Sequence, residues 1–277
     1  MPIQSGVADS LPILSPQRSD VDARDTALPV SETFVSLQGE GKLAGVPSWF
    51  VRLSGCNLRC RWCDTPYASW QPDGAPRSID DLLGEARGAA QRGVCHAVLT
   101  GGEPMMFRAL CELSARLAAP IARGGAAMHI TIETAGTLIP ADDRWALACQ
   151  LMSISPKLAS STPTNDPRDP EGIWALRHEQ RRLNIPVLQS LIDGWSGRRG
   201  REFQLKFVVC AEQDIAEIES LLARLSGWTP ADVLLMPEGV TPPTDGAKRL
   251  IADTCLSRGW RYCPRLHIDL YGNRRGT

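Results

Sequence analysis

Short apolar segments alternate with amphipathic segments along most of this chain, beginning near residue 32. Apolar runs rich in β-forming residues, bounded by glycine or polar residues, predict strands. The predicted strands are 32–37, 48–53, 94–100, 129–133, 151–155, 203–209, 233–236 and 260–267. Apolar residues spaced three and four apart, with Ser78 placed as an N-cap, predict helices in between. The predicted helices begin after Ser78 and cover 107–117, 142–148, 173–183, 214–225 and 244–256.

This order of elements predicts the fold class. Strands that alternate with helices favour a parallel sheet with right-handed crossovers, so the chain is predicted to be an α/β protein. About six βα units are too few for a closed barrel of eight strands. We therefore expect a partial (βα)6-type barrel of parallel strands with the helices outside.

Two segments do not follow this alternation. Residues 1–30 hold four prolines and no sustained period, which predicts a flexible N-terminal extension. Residues 31–277 are predicted to form one domain, with an insertion at about 159–200. That stretch is rich in proline and ends in a basic loop at 198–201. We interpret it as a surface excursion with no assigned chemistry.

Polar residues and glycines collect just after the predicted strands. They occupy 38–41, 54–65, 100–104, 133–137, 155–157 and 236–241. The carboxyl ends of parallel strands meet at one edge of a sheet, and that edge carries the chemistry of such folds. The sequence therefore predicts a single site at this edge.

Charge and hydropathy narrow the classes of function. The 277 residues carry a formal net charge of −1, which gives no electrostatic footprint for nucleic acid or a membrane surface. No apolar run approaches the roughly 18–20 residues that cross a bilayer. The first thirty residues lack the apolar core of a secretory signal. We expect a cytoplasmic protein with no nucleic-acid or membrane partner.

Nine cysteines are many for such a chain, and three of them lie within eight residues. Five others lie in apolar segments and are predicted to pack as small hydrophobic side chains: Cys95, Cys111, Cys149, Cys210 and Cys255. Cys263, near the polar C-terminal segment, is left without a prediction. The remaining three form the pattern Cys-x3-Cys-x2-Cys.

Cys56, Cys60 and Cys63 can bind a metal centre from one side of a loop. A [4Fe–4S] cube usually takes four cysteine ligands, so three leave one iron open to a small molecule. Trp62 can shield such a cluster. A structural zinc site is the alternative, but it normally needs four ligands, often as two close pairs, and no second close pair occurs.

A Gly-Gly-Glu-Pro turn follows the strand predicted at 94–100. Glycines let backbone carbonyls approach a ligand closely, and a carboxylate can bind an ammonium group. Gly102 and Glu103 are therefore candidates for contacting a bound amine.

The cysteine motif, with its aromatic residue before the third cysteine, resembles that of the radical S-adenosylmethionine (SAM) superfamily. Further segments resemble the 7-carboxy-7-deazaguanine synthase family more narrowly. They are Ser-Leu-Gln-Gly-Glu-Gly at 36–41, Phe-Val-Arg-Leu at 50–53, Cys-Asp-Thr at 63–65, Glu-Thr-Ala-Gly-Thr at 133–137, Ser-Pro-Lys at 155–157, Met-Pro-Glu-Gly at 236–239 and His-Ile-Asp-Leu-Tyr-Gly-Asn-Arg-Arg-Gly at 267–276.

The resemblance implies a radical SAM lyase that converts 6-carboxy-5,6,7,8-tetrahydropterin to 7-carboxy-7-deazaguanine with loss of ammonia, a step toward queuosine and related 7-deazapurines. It implies a [4Fe–4S] cluster, SAM and Mg²⁺ as cofactors. The partners it implies are the small pterin substrate, a flavodoxin- or ferredoxin-type electron donor and a second copy of the chain in a homodimer. The implied reaction begins when the 5′-deoxyadenosyl radical abstracts the hydrogen on C6 of the pterin.

The resemblance also implies roles for individual residues. The cluster ligands are Cys56, Cys60 and Cys63, and the magnesium ligand is Thr65. The predicted substrate contacts are Leu37, Gln38, Gly39, Glu40, Arg52, Thr100, His267 and Arg274. The predicted SAM contacts are Gly102, Glu103, Ser155, Pro156, Lys157, Met236, Pro237, Glu238 and Gly239.

Two other functions stay open at this point. An activating enzyme for a protein glycyl radical would share the cysteines and the Gly-Gly-Glu turn, but would have no use for the Gln-Gly-Glu loop or Arg52. A zinc-binding protein without catalysis would contain zinc and would lack the visible absorption of a cluster.

Overall fold

The computed structural model describes residues 27–120, 127–142 and 144–277. Its centre is a single sheet of nine strands in the order β3-β1-β2-β4-β5-β6-β7-β8-β9. The strands are β1 (Ala27–Leu37), β2 (Pro47–Leu53), β3 (Ala75–Ser78), β4 (His96–Gly101), β5 (His129–Thr134), β6 (Leu151–Ile154), β7 (Glu202–Val209), β8 (Val233–Pro237) and β9 (Arg261–Tyr262). The sheet is open, as the partial-barrel prediction requires.

Neighbouring strands from β2 to β9 pair in parallel. Strand β1 is antiparallel to both of its neighbours, β2 and β3. The sequence analysis found β1 and β2 but not this antiparallel edge. The Gly-containing turn between them is short, and a short connection can join only antiparallel strands.

In the part of the chain that the structure describes, seven α-helices connect and cover the strands. They are α1 (Ile79–Gln91), α2 (Ala109–Ala118), α3 (Ile173–Arg181), α4 (Ile185–Trp195), α5 (Gln213–Leu222), α6 (Asp245–Arg258) and α7 (Leu266–Tyr271). Helix α1 begins as predicted, because the Ser78 side chain accepts a hydrogen bond from the amide of Asp81 at 3.1 Å. Short 3₁₀ turns lie at Gly41–Leu43, Pro66–Ala68, Pro104–Met106, Ala159–Ser161 and Pro230–Asp232.

The helix predicted at 142–148 is wrong: none of the described residues in that range is helical. The carboxylate of Asp142 accepts hydrogen bonds from the backbone amides of Arg144 and Trp145, at 2.8 and 3.0 Å. These are the hydrogen bonds that an N-cap residue makes, but no helix follows them in the described part of this range.

The strand predicted at 260–267 is also wrong in extent. Only Arg261 and Tyr262 pair with β8. The amide of Cys263 still bonds to Leu235, but Pro264 has no N–H with which to continue the ladder. The chain then turns into α7, so His267 lies on a helix.

The segment at 159–200 is not a surface excursion. It is the crossover from β6 to β7 and contains α3 and α4. Helix α4 buries Leu188, Leu191, Ile192 and Trp195 in the core. The stretch is rich in proline, but Pro186 lies in the first turn of α4, where its missing N–H is not needed.

The N-terminal boundary of the domain lies earlier than predicted. Strand β1 begins at Ala27, and its residues Leu28 and Val30 are buried in the core. The rest of the predicted extension, residues 1–26, lies outside the described residues. Among the helices of the described residues, none has the length and hydropathy of a membrane span.

Candidate active site

A cleft opens at the carboxyl ends of the parallel strands, where the sequence predicted the site. It encloses about 1310 Å³ that no protein atom fills, part of it open to solvent. Predicted site residues that line it are Leu37, Gln38, Gly39, Glu40, Arg52, Cys56, Cys60, Cys63, Thr65, Thr100, Gly102, Ser155, Lys157, Met236, His267 and Arg274.

The cysteine loop follows β2 and is tied down by a second loop that follows β4. The amide of Gly102 donates to the carbonyl of Leu53 at 3.0 Å, and the amide of Glu103 donates to that of Gly55 at 2.9 Å. A Cβ at Gly102 would lie well under 3.0 Å from the carbonyl oxygens of Gly55 and Ala68, so only glycine fits there. The Gly-Gly turn therefore supports the cysteine loop as well as lining the cleft.

The outer side of the cysteine loop packs against the crossover segment. The Arg59 amide donates to Nδ1 of His178 at 3.1 Å, and the Arg61 amide donates to the carbonyl of Ser161 at 2.8 Å. The Arg59 guanidinium lies 4.1 Å above the ring of Trp174. Sequence reasoning missed these contacts, because no local pattern connects residues so far apart in the chain.

The three thiols suit a cluster better than a single ion. Among the described residues, no three His, Cys, Asp or Glu side chains converge as the ligands of one metal ion do. A [4Fe–4S] cube is larger, and each cysteine binds a different iron. Burial raises the pKa of Cys56 to about 12 and that of Cys60 still further. Such thiols are neutral unless a metal centre supplies the positive charge that deprotonates them.

One end of the cleft, beside the cysteine loop, presents groups suited to SAM. Lys157 Nζ donates to Ser155 Oγ at 2.9 Å and lies 5.7 Å from the ring centre of Trp62. The indole N–H of Trp62 is buried and has no hydrogen-bond partner within the described part of the chain. A buried donor without a partner is costly and is satisfied when a ligand brings an acceptor.

Glu103 was predicted to contact the cofactor, and in this structure its side chain is hydrogen-bonded within the protein. Its fully buried carboxylate accepts from Thr134 Oγ1 and from the Ala135 amide, both at 2.8 Å, and from the Met105 amide at 3.1 Å. Burial raises the pKa of this carboxyl. Glu103 therefore holds the turn after β5 in place against the Gly-Gly turn.

Four other predicted SAM contacts also lie outside the lining of the cleft: Pro156, Pro237, Glu238 and Gly239. Pro156 lies between Ser155 and Lys157 in the chain, and Pro237, Glu238 and Gly239 follow Met236. The carbonyl of Gly239 accepts a hydrogen bond from Arg265. These four residues shape the backbone around Ser155, Lys157 and Met236, which do line the cleft.

A polar edge of the cleft is formed by residues at the carboxyl ends of β1, β4 and β5. Glu133 accepts from Gln38 Nε2 at 3.2 Å with one carboxylate oxygen, and from Thr100 Oγ1 at 2.8 Å with the other. Thr100 and Glu133 are the penultimate residues of β4 and β5, and the parallel register, which pairs Leu99 with Ile132, places them side by side. The sequence pattern predicts no role for Glu133, although this residue belongs to the motif at 133–137.

Glu40 is the centre of a buried charge network that links distant parts of the chain. It forms ion pairs with Lys206 of β7 and with Arg265, whose Nε lies 3.2 Å from Glu40 Oε1. Arg265 also pairs with Asp64, just after the last cysteine. Burial alone would raise the pKa of Glu40, but Lys206 and Arg265 outweigh it and hold that pKa well below its usual range.

Arg52, predicted to bind the substrate carboxylate, lines the cleft next to an acidic residue. Its Nε donates to Glu32 Oε1 at 2.7 Å. The Tyr67 hydroxyl donates to the same oxygen at 2.8 Å. The sequence analysis did not single out Glu32 or Tyr67.

Thr65 lines the cleft, with its hydroxyl oxygen 3.8 Å from the Cys63 sulfur. His267 and Arg274 come from the C-terminal segment, together with Asn273 and Thr277, which also line the cleft. His267 packs so closely on Gly39 that a Cβ there would clash with its ring. This contact explains why the loop at 38–41 carries glycine.

A signal for Lys206 was present in the sequence. In β7, Gln204 and Lys206 alternate with Phe203, Leu205 and Phe207, and all five are buried. Polar side chains at every second position of a buried strand face a polar site rather than the core. Arg265 offered no comparable signal, because its contacts depend on where the C-terminal segment folds.

Comparison with known proteins agrees with this site. A family model described as the radical SAM superfamily matches residues 50–155, which include the cysteine loop and the Gly-Gly turn. The chain is similar in structure to QueE from Escherichia coli, with a TM-score of 0.58 and 25% sequence identity. That match covers 87% of this chain and 95% of the other.

Two relatives are similar over nearly their whole length. The 7-carboxy-7-deazaguanine synthase of Halobacterium salinarum is 45% identical over 262 residues, 91% of this chain and 93% of the relative. That of Rhodopirellula baltica is 43% identical over 259 residues, 93% of this chain and 92% of the relative. Identity at this level over more than nine-tenths of each chain shows that these proteins belong to one family. This chain therefore belongs to the 7-carboxy-7-deazaguanine synthase family of the radical SAM superfamily.

Proposed function

We propose that this protein converts 6-carboxy-5,6,7,8-tetrahydropterin to 7-carboxy-7-deazaguanine, with loss of ammonia. One observation carries the proposal. The three-cysteine loop and the polar edge of Gln38, Thr100 and Glu133 line the same cleft. An enzyme that acts on a protein glycyl radical would have no need for that edge.

Cys56, Cys60 and Cys63 would hold the [4Fe–4S] cluster. When bound, the cluster would supply the electron that cleaves SAM and so starts hydrogen abstraction from the substrate. Ser155, Lys157 and the N–H of Trp62 would bind SAM, because they bring a hydroxyl, a cation and an unpartnered donor to the cluster end of the cleft. Glu103 would not touch SAM. Its carboxylate ties the Gly-Gly turn, which supports the cysteine loop, to the turn after β5.

The polar edge would recognise the pterin ring. The carboxylate of Glu133 can accept from the N–H groups of the ring, while Gln38 offers both a donor and an acceptor. The guanidinium of Arg52 suits the substrate carboxylate. Leu37, Gly39, Glu40, His267 and Arg274 would enclose the substrate from the loop and the C-terminal segment. Contacts at several points would hold the reacting hydrogen of the ring in one position. Such positioning lowers the activation barrier of the reaction.

Thr65 would be the protein ligand of Mg²⁺. Magnesium prefers oxygen ligands and retains several waters, so one hydroxyl together with substrate oxygens is chemically sufficient. The Thr65→Ala variant is expected to need a higher Mg²⁺ concentration for half-maximal turnover, whereas Thr65→Ser keeps the hydroxyl and should resemble the wild type. Magnesium titrations of turnover check this. Equal magnesium dependence in all three proteins would contradict the assignment.

The proposal also includes two partners that the cleft does not reveal. A flavodoxin- or ferredoxin-type protein would supply the electron, and a second copy of the chain would complete a homodimer. Light scattering of the purified protein would measure the dimer directly, and turnover with reduced flavodoxin in place of a chemical reductant would test the donor.

The test of the main reaction is an anaerobic assay. The protein, reconstituted with iron and sulfide, is incubated with SAM, reductant, Mg²⁺ and the pterin, and products are followed by mass spectrometry. We expect 7-carboxy-7-deazaguanine from the wild type and from Cys95→Ser. Cys95 lies just before the amino end of β4 and is exposed, so the prediction that it packs as a small hydrophobic side chain is wrong. Cys60→Ser should give none of this product. Formation of 5′-deoxyadenosine without the deazaguanine product would favour an activating enzyme, and zinc with no visible absorption would favour a structural zinc protein.

A further inference from the structure

The C-terminal tail, residues 272–277, contributes to the lining of the cleft. Asn273, Arg274 and Thr277 line the cleft, whereas Arg275 between them does not. We propose that Arg275 latches this tail shut and, through Glu32, positions Arg52 for the substrate carboxylate. The role of Arg52 in this inference rests on the proposed function, whereas the latch itself does not.

Arg275 is held by a set of contacts outside the cleft. Its Nη1 donates to Asp73 Oδ2 at 2.9 Å, and its Nη2 donates to Ser31 Oγ at 3.2 Å. The Asp73 carboxylate is itself fixed by the Ser31 hydroxyl, which donates to it at 2.5 Å. The guanidinium also lies 3.9 Å from the ring centre of Tyr67. Cation–π contact and a forked hydrogen bond together define one position for this side chain.

The backbone of the tail turns on either side of Arg275. Gly272 and Gly276 both have positive φ, 70° and 77°, which favours glycine. The amide of Arg274 donates to the carbonyl of Gly272 at 3.0 Å, and Thr277 Oγ1 donates to the carbonyl of Arg274 at 2.9 Å. These turns direct Arg274 toward the cleft while Arg275 binds outside it.

Glu32 connects the latch to the cleft. One carboxylate oxygen, Oε1, accepts from Arg52 and from Tyr67, and the other, Oε2, lies 3.8 Å from Arg275 Nε. The side chains of Glu32 and Arg52 are only 13% and 15% exposed, so their pair is weakly screened by water, whereas Arg275, at 48%, meets Glu32 from the solvent side. Within the described residues, Arg52 donates only through Nε, which leaves its terminal nitrogens for a ligand.

Charge explains why a second arginine is useful here. A carboxylate beside Arg52 fixes its orientation but also opposes a negatively charged substrate. Arg275 brings a positive charge to the other oxygen of Glu32 and offsets that opposition. When the tail closes, Arg52 is therefore both held by Glu32 and able to attract a second carboxylate.

Three variants separate the two parts of the inference. Arg275→Ala removes the latch, and should fold, because its side chain is half exposed. Tyr67→Phe removes the hydroxyl that donates to Glu32 but keeps the ring beneath Arg275. Arg198→Ala is the matched control, an exposed arginine in the loop before β7, at the opposite end of the sheet.

Hydrogen exchange measures the latch in protein without cluster or substrate. Amides of residues 266–277 should exchange about tenfold faster in Arg275→Ala, the loss expected for a partly exposed ion pair and a cation–π contact together. Tyr67→Phe and Arg198→Ala should leave that exchange unchanged. Arg275→Lys should raise the exchange rate by less than Arg275→Ala does, since lysine keeps the charge but not the forked donors. Wild-type exchange rates in Arg275→Ala would overturn the latch.

Kinetics measure the positioning of Arg52. KM for the pterin should rise about tenfold in Arg275→Ala and several-fold in Tyr67→Phe, with KM for SAM and iron content unchanged in both. Equal rises in both KM values would mean a general loss of structure and would overturn the positioning role. If the wild type makes no deazaguanine product, the proposed function fails, and hydrogen exchange still decides whether Arg275 is a latch.

Discussion

The backbone amide of Arg59 donates a hydrogen bond of 3.1 Å to Nδ1 of His178, a residue 119 positions further along the chain. Since Nδ1 accepts, the proton of the neutral ring lies on Nε2, which donates to Ser161 Oγ at 2.8 Å. Burial lowers the pKa of His178 to about 4, so the ring is neutral near pH 7. One buried imidazole thus joins the cysteine loop to the crossover between β6 and β7.

Replacing His178 is expected to loosen the cysteine loop. In His178→Ala, the Arg59 amide and Ser161 lose buried partners, which should lower the free energy of unfolding by about 1–3 kcal/mol. Iron bound after reconstitution should also fall. Denaturant unfolding of the cluster-free protein and iron analysis provide the two measurements, with the exposed His129→Ala as control. Full iron content in a destabilised His178→Ala would restrict this residue to a role in folding.

Local patterns accounted for the parts of the site that lie close together in sequence. The spacing of Cys56, Cys60 and Cys63 identified the cluster loop, and the polar residues after each strand identified the edge. The pairing of Gln38 with Glu133, 95 residues apart, could not be foreseen. Such contacts depend on strand order and register, which periodicity within one element does not specify.

One error in the fold has a local physical cause. The strand predicted at 260–267 stops after Tyr262, because Pro264 has no N–H with which to continue the ladder. The chain then turns into α7, so His267 reaches the cleft from a helix rather than from a strand.

Two glycines offer opposite expectations for the same substitution. Gly102→Ala places a Cβ against backbone carbonyls of Gly55 and Ala68, which cannot move without displacing the cysteine loop. Gly84 lies within α1, where an added Cβ would meet nothing within 4 Å. Gly84→Ala should therefore stabilise the protein by about 0.5–1 kcal/mol. Gly102→Ala should destabilise it and reduce bound iron, as thermal unfolding and iron analysis will show. Equal stability of the two variants would refute the proposed support.

Protonation of histidine should make the cluster-free protein less stable in mild acid. Burial lowers the pKa of His96 to about 4, against 6.5 for the ordinary side chain, and hydroxyls of Ser48 and Thr131 lie 2.7 and 2.8 Å from its ring nitrogens. Between these pH values, the unfolded chain binds a proton that the folded chain does not. Stability is therefore complete above pH 6.5 and falls as the pH decreases toward 4.

The size of this effect can be bounded and measured. A pKa shift of about 2.5 units corresponds to at most about 3–4 kcal/mol. Burial also lowers the pKa values of His178 and His267. Urea unfolding at pH values from 7 to 5 should show a slope that is shallower in His96→Asn than in the wild type. Equal slopes in the two proteins would mean that His96 is protonated in the folded protein over the same pH range as in the unfolded chain.

The buried pair of Glu40 and Lys206 should behave as one unit. Lys206→Met leaves Glu40 with Arg265 alone, and breaking a buried pair of this kind costs about 3 kcal/mol or more. Glu40→Gln should also destabilise, since Lys206 then remains buried without its closest partner. The double variant should cost less than the sum of the single variants by about 1–3 kcal/mol, because each single change removes the same interaction.

Denaturant unfolding of the wild type, both single variants and the double variant gives this coupling energy directly. Lys248→Met is the matched control, because Lys248 lies 3.9 Å from Asp245 and both side chains are largely exposed. Its loss should change stability by no more than about 0.5 kcal/mol. If the losses of stability in Glu40→Gln and Lys206→Met added up to that of the double variant, the network would be a set of separate contacts. A large coupling, by contrast, means that the loop at 38–41 is fixed by β7 before any ligand binds, and the substrate then meets a site whose charges are already in place.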